Sequence, residues 1–67
     1  MNRRFQVQVE NKATQNFDTA DEALRWAMGH VYLSPVRFED GKDLLNSGRV
    51  FSYCYGFAGV DIIPFER

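Results

Sequence analysis

The chain has 67 residues, a net charge of −1, 45% hydrophobic and 15% aromatic residues, and one cysteine. A chain this short makes one domain and buries only about 60% of the surface its unfolded form exposes, so it must use its apolar residues well or add contacts by oligomerising. The composition excludes a disordered chain, a membrane-spanning helix, an intramolecular disulfide framework, a strongly basic phosphate binder and an acidic DNA mimic.

The first residues, Met-Asn-Arg-Arg-Phe-Gln-Val-Gln, have no apolar stretch, so no signal peptide is expected, and the lone Cys54 suits a reducing cytoplasm. Arg4 to Glu10 alternates, with Phe5, Val7 and Val9 on one face and Gln6 and Gln8 on the other, the pattern of a half-buried strand. Asn11-Lys12 reads as a turn. Residues 13–17 are either a short return strand or a loop, with Phe17 anchoring the entry to a helix.

That helix is predicted over Thr19–Val31. Thr19 and Glu22 have the spacing of a capping box, and Asp18, Asp21 and Glu22 place negative charge at the positive end of the helix dipole. Ala20, Ala23, Leu24, Ala27, Met28 and Val31 form one stripe, lined by alanines and so able to sit close to whatever it covers. Trp26 points roughly 130° away from that stripe, with His30 one turn on, while Arg25, Asp21 and Glu22 take the solvated side. Gly29 weakens the last turn by about 1 kcal/mol relative to Ala, and Pro35 rules out helix at Ser34 or beyond.

Beyond Pro35 the reading is strand and turn. Val36–Glu39 is a strand, and Asp40-Gly41 is a hairpin signal, because a type I′ turn needs positive φ at both central positions. Lys42–Leu45 is a short strand, or a loop dropping two leucines onto the core, and Asn46-Ser47-Gly48 is a turn. Arg49–Phe57 is the strongest strand, with Phe51, Tyr53, Tyr55 and Phe57 on one face and Val50, Ser52, Cys54 and Gly56 on the other. Ala58-Gly59 turns the chain into a last strand, Val60–Phe65, and Pro64 marks a sheet edge or the strand's end.

The expected fold is α+β, an antiparallel sheet of four to five strands with one helix packed on one face, in the order β(β)αβββ. Large aromatics complement an alanine-lined helix, so the 51–57 aromatics are placed towards it; the opposite orientation exposes an aromatic platform of the kind single-stranded nucleic-acid binders use. The second sheet face, with Val50, Cys54, Val60 and Ile62, stays open and makes a homodimer the expected way to cover it.

No enzyme is expected. One His and one Cys are too few for a structural zinc site, and a His30–Cys54 dyad would need a helix end to meet a mid-strand cysteine usually buried as a small apolar residue. Gly56 and Gly59 have the Gly-x-x-Gly spacing of KH loops but join strands, and no phosphate-loop motif occurs, so no metal or cofactor is expected. The adjacent carboxylates Asp21-Glu22 and Glu39-Asp40 read as cap and turn residues.

Binding is the remaining class. Trp26 either folds over the helix edge onto Leu33 or a loop, or forms a contact patch with His30, Arg25 and Leu33, since Trp, Tyr and Arg are enriched at hot spots. Six of the eight basic residues are Arg; Arg37 and Arg49 complete the candidate partner-binding set. The alternative is nucleic-acid binding, with Arg3, Arg4, Arg37 and Arg49 on one surface and Tyr53 and Tyr55 stacking bases.

In size and element order, with the helix Asp18-Thr19-Ala20-Asp21-Glu22-Ala23-Leu24-Arg25-Trp26-Ala27 followed by a meander, the chain resembles small proteins of phages and mobile elements that disable host defences, anti-CRISPR proteins among them. The resemblance spans the whole chain and implies a stoichiometric inhibitor that occludes a surface of a larger host complex. That group shares no motif, so no residue role can be carried over.

Overall fold

The computed structural model describes residues 3–10, 12 and 14–66. Strands β1 (Arg3–Val9) and β2 (Gln15–Phe17) precede helices α1 (Ala20–Met28) and α2 (Pro35–Asn46), and strands β3 (Phe51–Tyr55) and β4 (Ala58–Glu66) close the chain. The strands form one antiparallel sheet in the order β2-β1-β4-β3, with both helices on one face. The fold is α+β, with two helices where one was expected.

The second helix overturns the strand at Val36–Glu39 and the hairpin at Asp40-Gly41. Pro35 starts α2 rather than preventing it: at the first helical position its missing N–H is one that needs no partner. Ser34 caps the start, its hydroxyl accepting the Arg37 N–H at 3.2 Å. Alternation over four residues is too short a sample of the period. Phe38, Gly41 and Leu45 recur at helical spacing, and Gly41 and Leu45 are buried. The Asn46-Ser47-Gly48 cluster ends this helix in a Schellman motif: the Gly48 N–H donates to Leu45 O at 3.1 Å, the Arg49 N–H donates to Leu44 O at 2.9 Å, and Gly48 has φ 89°.

Helix α1 starts as expected, with the Thr19 hydroxyl accepting the Glu22 N–H at 3.1 Å. The return half of the box differs: that hydroxyl also donates to Glu22 Oε1 at 3.1 Å, in place of the Thr19 backbone N–H. The helix stops at Met28, before Val31, and Gly29 caps it. Ala20, Ala23, Leu24 and Ala27 are buried over the sheet, joined by Val31, Leu33 and Leu45. From the sheet come Phe5, Val7, Val9, Phe51, Val60 and Ile62. Residues 15–17 form the return strand, with Phe5 opposite Phe17 and Val7 opposite Gln15.

The last two strands are shifted from their expected bounds. The turn between them is Gly56-Phe57, with Gly56 at φ 64°, and Ala58-Gly59 already belongs to β4. β4 is an inner strand although it contains Pro64. The Glu10 N–H donates to Gly59 O at 3.1 Å, which makes Gln8–Asp61 and Gln6–Ile63 hydrogen-bonded pairs and leaves Phe5–Pro64 a non-bonded one. Proline's missing donor therefore points the other way, past the end of β3, which stops at Phe51 opposite Ile62.

Phe51 and Tyr53 face the helices as expected, with Phe51 buried and Tyr53 half-buried. Tyr55 and Phe57 are exposed, because the helical layer ends short of the hairpin tip. On the open face, Val60 and Ile62 are replaced by their neighbours in register: both point into the core, and half-buried Ile63 and Phe65 take the outer positions.

Candidate functional site

The five residues singled out from the sequence do not converge. Trp26 and Arg25 leave α1 on opposite flanks. Trp26 turns towards β2, where its ring lies 5.9 Å from that of Phe17, and the His30 ring is tilted against it at 4.6 Å. The indole is half-buried and packs on the core, so it belongs in large part to the fold. Trp26→Ala is accordingly expected to cost about 2 kcal/mol, roughly half of what a fully buried Trp loses. Urea unfolding measures this, and a loss below about 0.5 kcal/mol would show that the Phe17 contact contributes little.

Arg25 turns towards α2. Its Nε donates to Asp21 Oδ2 at 2.6 Å, and its guanidinium lies 5.8 Å from the Phe38 ring centre. The Asp21 hydrogen bond, and then its charge, raise the Arg25 pKa above the ordinary arginine value. Arg37 lies over Tyr53 at 5.8 Å, on the far side of α2. Arg49 is exposed between the end of α2 and β3. His30 and Cys54 lie on opposite faces of the sheet, so they form no dyad. Among the described residues no three His, Cys, Asp or Glu side chains gather.

The structure assembles two surfaces, one on the sheet face expected to stay open and one that the residue pattern does not show. The open sheet face is a shallow concavity of about 580 Å³ with mixed polar and apolar walls, Gln8, Glu10, Cys54 and Asp61 among them, where the Ser52 hydroxyl donates to Asp61 Oδ1 at 2.6 Å. Between the helices lies a smaller groove of about 370 Å³ with apolar walls, formed by Met28, Tyr32, Leu33, Pro35 and Phe38, with Arg25 and Glu39 at its rim. Met28 and Tyr32 are 45% and 59% exposed there, although both are large and apolar in body. Helical periodicity puts Met28 on the buried stripe, but it sits at the rim because α1 ends at that residue. No signal in the sequence locates the groove, since it exists only through α2.

These features define a two-layer α+β domain with an apolar groove between its helices. No protein-family model matches the chain, and no curated protein or solved structure is significantly similar to it.

Proposed function

We propose that the chain is a non-catalytic protein-binding module whose partner seats an apolar side chain in the groove between α1 and α2. The carrying observation is that groove: Met28 and Tyr32 are held exposed over an apolar floor of Leu33 and Phe38, with Arg25 beside them. An adaptable thioether, an aromatic ring with a polar tip and an arginine are the side chains that protein interfaces favour. The particular form, an inhibitor of the anti-CRISPR kind that occludes a host complex, rests on chain size alone, because the element order is ββααββ rather than a helix followed by a meander.

Protein is favoured over nucleic acid by the disposition of charge. Arg3, Arg4 and Arg25 are paired with Glu66, Asp18 and Asp21. Tyr53 is covered by Arg37, and the open sheet face carries Glu10 and Asp61. No helix among the described residues is long and apolar enough to cross a membrane. The exposed thiol of Cys54 suits a reducing, cytoplasmic setting.

Met28→Glu and Tyr32→Ala are expected to leave the melting temperature nearly unchanged and to weaken binding of a captured partner by 2 kcal/mol or more, about 30-fold. Binding of the native chain should vary little with salt. A log–log salt slope of several units would identify phosphate neutralisation and reject the reading. Unchanged binding by both variants would reject the groove.

A further inference from the structure

The sheet has two edges, β2 and β3, and they differ in how they are guarded. β2 is three residues long and lies beside the Arg4–Asp18 ion pair. β3 presents a longer edge, and the run Val50–Phe57 contains neither a charged residue nor a proline. These are the devices that normally keep an edge strand from pairing. Val50, Tyr55 and Phe57, half of the large exposed apolar side chains among the described residues, lie on this strand or at its ends.

The backbone is also phased for pairing. Gly59 and Asp61 direct their backbone groups to β1, so β4 bonds β3 through Ala58, Val60 and Ile62, opposite Tyr55, Tyr53 and Phe51. The N–H and C=O groups of Ser52 and Cys54 therefore point off the sheet.

The geometry points to a homodimer in which β3 pairs antiparallel with β3 of a second copy across a two-fold axis at Ser52, giving one eight-stranded sheet. Outward groups must meet outward groups, so the register moves in steps of two residues. Centring on Ser52 pairs Val50 with the partner's Cys54 and keeps all of 50–54 bonded. On the helix side it sets Phe51 opposite the partner's Tyr53 and Arg49 opposite the partner's Tyr55, aromatic and cation–π pairings at cross-strand distance.

Charge and spacing favour a second copy as the occupant. Arg37 lies over Tyr53, and a Cβ at Gly41 would stand 3.3 Å from the Phe51 ring, so the axis at Ser52 passes between those two levels of α2. Arg37 of each copy then comes opposite the partner's Asp40. Because α2 touches both β3 and β4, the two α2 helices run antiparallel about 10 Å apart, a packing distance for helices. They close an open groove of about 530 Å³ now walled by Arg37, Asp40, Leu44 and Val50. The two Asp61 side chains stay three strand spacings apart, about 14 Å, beyond the roughly 8 Å screening length of physiological salt.

The test is light scattering of the reduced chain at high micromolar concentration, where a dimer is expected. Ser52→Lys brings two ammonium groups together on the axis, while within its own copy the lysine faces Asp61. The variant should melt like the native chain and dimerise at least about tenfold more weakly. Ser52→Cys in a Cys54→Ser background sets two thiols opposite each other with Cα atoms about 5.5 Å apart, so mild oxidation should link the copies. The native Cys54 lies roughly 14 Å from its mate and should not link. A monomer, a dimer that Ser52→Lys leaves intact, or an unlinked Ser52→Cys chain would each overturn the arrangement, and the latter two would move the interface to the open face with Ile63 and Phe65.

Discussion

Leu24→Ala is expected to remove about 3–4 kcal/mol of stability. Leu24 is fully buried in the middle of α1, and its Cδ2 approaches to within 3.0 Å of where a Cβ on Gly41 would stand. It therefore joins α1 to α2 above the sheet, and truncation opens a void bounded by two helices that cannot both close on it. A 67-residue chain has roughly 3–10 kcal/mol in total, so this single change should remove about a third of that stability or more. A urea titration checks it: the midpoint should fall steeply while the slope m is unchanged, and a loss below about 1.5 kcal/mol would show that the helices repack over the gap.

Gly41→Val is expected to cost about 3 kcal/mol, whereas Gly41→Ala should change stability by less than about 1 kcal/mol. At Gly41 α2 lies close against the core: a Cβ there meets Leu24 Cδ2 at 3.0 Å and the Phe51 ring at 3.3 Å. A single methyl needs the Leu24 end and the Phe51 ring to give by a few tenths of an ångström, and its gain in helix propensity offsets that crowding. The branched side chain of valine adds two more carbons and forces the helices apart. The pair of variants separates a helical glycine from the hairpin glycine that Asp40-Gly41 suggests. At positive φ, alanine alone would already cost roughly 1–2 kcal/mol, so an alanine variant losing that much in a thermal melt would argue for the turn.

The candidate site was legible only in its parts. Arg25 stands on the groove and Arg37 on the edge of α2, but Trp26 is tied to Phe17 and the core. A helix wheel gives the direction in which a side chain leaves its helix, not what lies there. A residue 130° from the apolar stripe is at the surface only if no other element flanks the helix, and here β2 does.

Local chemistry alone determined the start of α1, the inward face of β1 and the alternation on β3, while packing against the helices decided which face of β3 turns inward. The first three arise from interactions within a few residues: the Thr19 cap, the period-two alternation of Phe5, Val7 and Val9, and the aromatic spacing of Phe51 and Tyr53. Residues 35–46 were decided by tertiary structure. Gly41 disfavours a helix, and Asp40-Gly41 favours a hairpin, by amounts on the order of 1 kcal/mol. Burial of Leu45, part-burial of Phe38 and Leu44, and the close approach of Gly41 to Leu24 favour the helix. Each large apolar side chain fully buried contributes about 1.5–3 kcal/mol, so packing outweighs propensity there. The same cause sets Pro64 in an inner strand: its missing donor costs nothing where β3 has already ended, a fact of strand length and register that no local pattern encodes.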